Sequence, residues 1–135
     1  MKLKGRTVNP GKAEGEAIVA RIPFSFLGEL EPSTGRIPSP SHELFGQSLA
    51  DKIFVCPTGK GSSVGPAVAY LAKKAGVLPK AMILREVEPV IAAAILTADI
   101  PAVDKLDQDP LEVIETGDYV KVDADQGIVE VLKKV

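Results

Sequence analysis

The chain has 135 residues, 45% of them hydrophobic and 25% charged, with a formal net charge of −2. That length suits one domain, expected to span 1–135, and twelve glycines with eleven prolines are too few for a low-complexity chain. The sixteen Lys and Arg are scattered rather than patched, and the six aromatics include no Trp, which argues against nucleic acid and anionic membranes as partners. Cys56 and His42, alone of their kinds, permit no internal disulfide, structural zinc site or iron–sulfur cluster, so no metal is expected on this chain. No apolar run approaches the ~18–20 residues of a membrane span, and Met1 to Arg6 lead into no signal-like stretch, so a cytoplasmic location is expected.

Strands are expected at about 2–8, 16–21 and 52–56, in a first part of the chain that holds six of the eleven prolines. Between the last two lies a turn-rich excursion, Pro23 to Gly28, Glu31 to Gly35 and Pro38 to Ser41, of the kind that serves binding or moves. The clearest helix runs from Val64 to about Ala75, with Val64, Ala67, Val68, Leu71, Ala72 and Ala75 on the apolar stripe. Ser63 is placed as its N-cap, Pro66 in its first turn, Lys73 and Lys74 at its negative end, and Gly76 at its stop. A buried strand at Ala81 to Leu84, a helix from about Glu88 to Leu96 and an extended piece at Ile100 to Val103 follow. Tyr119 to Asp123 and Ile128 to Val131 alternate about a turn at Ala124 to Gly127 and read as a hairpin. Crossover and antiparallel pieces together predict an α/β fold, a three-layer β/β/α domain whose mostly parallel sheet carries helices on one face.

The segment Ile53 to Ser63 is an apolar strand that breaks into a Gly-rich loop and opens into a helix. Gly59 and Gly61 let the backbone approach a ligand, the first helical N–H groups are unpaired, and Lys60 adds a full positive charge. Gly61 and Lys60 are therefore candidate anion or substrate ligands. The spacing is not that of a Walker loop, because Phe54 stands at the first glycine position and Gly61 follows Lys60. An ordinary strand-to-helix turn with a serine cap fits the same residues. With Ser63 capping, Ser62 is the hydroxyl left to meet a ligand, and donors, a cation and a helix start around it would stabilise its alkoxide. No Gly-x-Ser-x-Gly elbow supports a serine hydrolase. His42 lies in a Pro/Ser-rich loop without an assigned role, and Cys56 reads as a small buried hydrophobe.

In Gly5-Arg6, Gly15-Glu16-Ala17, Ser25 to Gly28, Thr34-Gly35, His42 to Leu49 and Gly59 to Ser63, the chain resembles the small subunit of the aconitase X family. The resemblance covers almost the whole chain and implies a swivelling β/β/α domain like the mobile domain of aconitase. It further implies a hydro-lyase active only with a large partner subunit that carries a [4Fe–4S] cluster. The Gly61-Ser62-Ser63 run matches the aconitase motif, which would make Ser62 the catalytic base and Ser63 a substrate ligand. The family includes archaeal dehydratases of mevalonate 5-phosphate, in isoprenoid biosynthesis, and hydroxyproline dehydratases; the former implies a small phosphorylated carboxylate as substrate. The stretches Ala98 to Val103, Thr116 to Asp123 and Gln126 to Val131 also look like the end of a phosphohistidine swivelling domain. Residues 64–100 hold no histidine for such a carrier. A non-catalytic anion-binding module at 59–63 is the reading from another class.

Overall fold

Two four-residue apolar runs form the middle of the fold because neither of their faces meets water. Strand β4 (Ile53–Cys56) and strand β5 (Ala81–Leu84) pair in parallel and every residue on them is buried. The computed structural model describes residues 1–133, and the last two positions of the expected 1–135 domain lie outside the described residues. Strands β1 (Lys2–Lys4), β2 (Arg6–Asn9), β3 (Lys12–Val19), β6 (Ala102–Asp104), β7 (Tyr119–Asp123) and β8 (Ile128–Leu132) complete the sheet, in the order β1-β8-β7-β3-β4-β5-β6-β2. From β3 to β6 neighbours run parallel; β2, β7, β8 and β1 pair antiparallel.

Strand β3 makes two sheets out of this order. Residues 12–16 pair with β7, whereas Ala17, Ile18 and Val19 pair with β4. Since strand side chains alternate in direction, each central strand then feeds two cores. Ala17, Val19, Ile53, Val55, Ala81 and Ile83 face the second sheet and meet Leu3, Val120, Val122, Val129 and Val131. Ile18, Phe54, Cys56, Met82 and Leu84 face the helices α2 (Gly65–Ala75) and α3 (Pro89–Ala98). This is the three-layer β/β/α arrangement the order of elements predicts.

Several local expectations shift. The expected strand 2–8 is split at Gly5, where a Cβ would collide with Asp104 and Leu106. The strand expected at 16–21 is β3 and begins at Lys12. A short helix α4 (Pro110–Val113), capped by the Asp109 carboxylate on Leu111 N–H at 3.0 Å, stands where none was predicted. Helix α2 does not bury its whole predicted stripe: Gly65, Ala69 and Ala72 are inside, while Val64, Ala67, Leu71 and Ala75 are exposed. Periodicity finds apolar positions, but close approach of a helix selects the small ones.

The excursion between β3 and β4 is neither extended nor loose. After one kinked helical turn, α1 (Phe26–Glu29), it is knitted by turn hydrogen bonds such as Glu31 N–H to Arg36 O at 2.8 Å and Ile37 N–H to Gln47 O at 2.9 Å, and Phe24, Phe26, Leu30, Ile37, Leu44 and Leu49 are buried. Phe24 packs edge-on against Phe26 and Phe54, with centroids 5.2 and 4.8 Å away. Buried side chains worth roughly 1.5–3 kcal/mol apiece thus add to these turns in holding a segment that lacks regular strands.

Candidate functional site

The parallel strands β4 and β5 end at one edge of the sheet, and α2 and α3 both start there. Crevices at the carboxyl ends of parallel strands are where such folds bind ligands, because helix starts bring unpaired N–H groups to one place. Pro57 to Lys60 is tied to the excursion by Phe24 N–H to Thr58 O at 2.9 Å and Lys60 N–H to Phe24 O at 3.2 Å. It is tied to the next crossover by Arg85 N–H to Pro57 O at 3.0 Å. Gly59 is obligatory, since a Cβ there would run into Glu88 and Ile91.

Beyond Lys60 the chain is open. Gly61 has φ +74° with nothing within 4 Å of its missing side chain, so the turn needs glycine for its backbone and not for space. The N–H groups of Gly61, Ser62 and Ser63 find no acceptor among the described residues. Three successive free N–H groups before a helix start form an anion-binding concavity, and the helix dipole has the same sign. No acidic side chain occupies the first turn of α2 to answer it.

Neither serine takes the capping part expected of Ser63. Ser63 is not the N-cap: α2 begins at Gly65 with Val64 in the cap position and no side-chain cap bond. Ser62 Oγ instead accepts from Val64 N–H at 3.3 Å, two residues on, while Ser63 is exposed. A serine hydroxyl competes well for a nearby N–H in a tight turn, and here that turn precedes the helix by one residue. The bond suits Ser62 for the chemistry its position suggests, because an N–H donated to Oγ favours the alkoxide. Lys60 reaches sideways, its Nζ pairing with Glu29 Oε2 at 2.5 Å. Glu29 Oε1 also accepts from Ser25 N–H at 2.8 Å, fixing the excursion to the loop.

Glu88 was not singled out by its residue type alone. Its carboxylate accepts from Val90 N–H at 2.9 Å and Ile91 N–H at 2.5 Å, capping α3 beside Gly59 and near Ser62. An acidic residue directly before Pro89 and an uncharged helix was the available signal. Cys56 is fully buried, and burial pushes its thiol well above the usual range. Among the described residues, no three His, Cys, Asp or Glu side chains are placed to hold a metal ion, and no helix is long and apolar enough to cross a membrane.

The model of the aconitase X swivel domain matches residues 2–131. The chain belongs to that family. It is 50% identical over 133 residues to the phosphomevalonate dehydratase small subunit of Thermococcus kodakarensis, covering 98% of each chain. With the protein of the same name from Methanosarcina acetivorans it shares 44% identity over 133 residues, covering 98% of this chain and 92% of that one. A crystal structure of Thermococcus kodakaraensis aconitase X in its holo form superposes with a TM-score of 0.92 at 48% identity, covering 98% of this chain and 99% of that one. In this swivel domain the Gly61-Ser62-Ser63 run therefore lies on the open helix start, with no side chain of its own helix closing it.

Proposed function

We propose that the chain is the small subunit of a hydro-lyase that converts mevalonate 5-phosphate to trans-anhydromevalonate 5-phosphate, acting with a large partner subunit. Full-length relatives at 42–50% identity bear that name, which supports the substrate. The observation that carries the chemistry is the open helix start at Ser62. A substrate carboxylate fits the free N–H groups of 61–63, with the Ser63 hydroxyl as a further donor. Ser62 Oγ then takes the proton from the carbon beside that carboxylate. The electron pair forms the new double bond, the hydroxyl of the next carbon departs, and the two fragments leave as one water once Ser62 has passed its proton on. The Val64 N–H and the α2 dipole stabilise the alkoxide that must do this, and a positioned base of this kind contributes about 10²- to 10⁴-fold.

The [4Fe–4S] cluster implied by the family has no home on this chain. Its one cysteine is a fully buried thiol held protonated by its surroundings, which does not fit a cluster ligand. In this proposal the cluster belongs to the large subunit. The test is anaerobic reconstitution of both subunits and assay of mevalonate 5-phosphate for the unsaturated product. Product from the complex and none from either subunit alone is expected; product from hydroxyproline instead would move the chain to the other dehydratases of the family.

A further inference from the structure

A serine that takes a proton from its substrate has to lose it again before the next turnover, and among the described residues no titratable side chain bonds directly to Ser62 Oγ. A route is visible beside it. Ser62, Ser25 and Glu88 line one crevice of about 10 Å³, whose wall also includes the buried Phe24, Phe26 and Ile91. That is room for about one water molecule, and a water held inside a protein needs roughly two to four polar partners.

Each of the three polar side chains has capacity left. Ser62 Oγ accepts from Val64 N–H at 3.3 Å and keeps its own proton to donate. The Ser25 hydroxyl caps nothing and has no partner among the described residues. The Glu88 carboxylate accepts one N–H on each oxygen, from Ile91 and Val90, which leaves a lone pair to spare on each. No cation pairs with it among the described residues. Its Oε1 lies where a Cβ of Gly59 would stand, so the carboxylate is pressed against the loop that carries Ser62. Glu88 also lines an open cleft of about 340 Å³ with Pro57, Thr58, Arg85 and Glu86. One carboxylate thus borders both the crevice of Ser62 and a cleft in contact with bulk water.

We infer that one water molecule in this crevice bridges Ser62 Oγ to the Glu88 carboxylate, and that Glu88 passes the substrate's proton from Ser62 to solvent. The inference rests on the dehydratase reading for the origin of that proton. Once the carbon has given its proton to Oγ, the Ser62 O–H bond breaks towards the water, and another O–H bond of that water breaks towards Glu88. Ser62 is then an alkoxide again, held by Val64 N–H and the start of α2, the water is regenerated, and Glu88 is a neutral acid that releases its proton into the open cleft. One proton leaves through Glu88 and one hydroxide departs from the substrate, which together make the water eliminated. Glu88 touches no substrate and is a positioning residue, acting on Ser62 through the water it holds.

Two substitutions separate the relay from the cap. Glu88→Gln keeps the length of the side chain and one oxygen for the helix N–H groups, but cannot take a proton. In the reconstituted complex, E88Q is expected to lower kcat for mevalonate 5-phosphate about tenfold with KM within about twofold of wild type. The solvent deuterium isotope effect on kcat should rise with it, because proton release has become slow. Glu88→Ala opens the wall, and formate is expected to restore part of its kcat while chloride at equal ionic strength does not. A wild-type kcat in E88Q, or a loss that follows Tm with the isotope effect unmoved and no rescue by formate, overturns the relay. A further measurement does not depend on turnover. A high-resolution crystal structure of the full chain should place a water within about 3 Å of both Ser62 Oγ and a Glu88 oxygen; a crevice without that water overturns the bridge. A wild-type complex that makes no product while the water is in place would sink the dehydratase reading and leave the bridge standing.

Discussion

The crossovers β4 to α2 and β5 to α3 lie side by side, run in the same direction and end in opposite states. After β5, Glu88 turns its carboxylate onto the first N–H groups of α3 and Arg85 is held by Asp109 at 2.9 Å, so the connection satisfies itself. After β4, Ser62 spends its oxygen one residue too early, Val64 caps nothing, and three N–H groups stay open. Two connections of one topology thus differ by where a single acceptor sits. A closed helix start contributes stability, whereas an open one keeps its donors for something else.

That contrast can be broken from either side. The largest effect is expected from Ser62→Ala in the assembled complex: turnover should fall by about 10³-fold while Tm and subunit association hold. Near-normal turnover would remove Ser62 from the base role. Removing the closed side's acceptor should do the reverse. Glu88→Ala is expected to cost about 1–2 kcal/mol in denaturant unfolding through the exposed start of α3, with a far smaller change in kcat than Ser62→Ala. Equal losses of stability and turnover would show that the two starts are not separable.

Filling the open side is expected to help the fold and hurt the site. Val64→Asp places a negative charge at the positive end of α2, stabilising the chain by about 0.5 kcal/mol while repelling an anionic substrate and raising KM several-fold. A destabilised variant with unchanged KM would contradict the account of the open start. The smallest effect belongs to the Arg85 and Asp109 pair. Arg85 holds the Asp109 carboxyl below its ordinary value of 3.8, and the contact is partly exposed. A depressed carboxyl stabilises the fold above its unfolded value and loses that contribution as pH falls through the folded one. Asp109→Asn should therefore be less stable than the parent chain by about 0.5 kcal/mol at neutral pH, with the gap closing below roughly pH 4 in urea melts.

Much of this was legible in the amino acids, and the misses have physical causes. The runs Ile53 to Cys56 and Ala81 to Leu84 are apolar throughout because both their faces are covered, and such runs announce central strands. Tyr119 to Asp123 and Ile128 to Val131 alternate because one face is wet. The stripe of α2 was misplaced because Leu71 and Val64 weigh as much in a periodicity as Ala69, although only small residues fit beneath the helix. Ser62 and Ser63 are located by their loop, but that neither of them caps α2 was not readable: where the helix starts depends on backbone angles that two adjacent hydroxyls do not reveal. The role of Glu29 depended on Lys60, 31 positions away, and no local pattern joins them. His42 was visible as a lone histidine; that its Nε2 is buried without a partner among the described residues belongs to the packing of the excursion.

Gly5 carries a last consequence. It joins β1 to β2, the two strands at opposite ends of the sheet order, so the chain's own covalent path draws the margins of the sheet together. Those margins are three and four residues long, and Gly5 N–H is spent on Gly127 O at 2.8 Å. Short, tethered margins offer little template for another strand, which guards the chain against edge-to-edge aggregation. They also direct any lasting association towards side-chain recognition on loops and helices, and away from main-chain pairing.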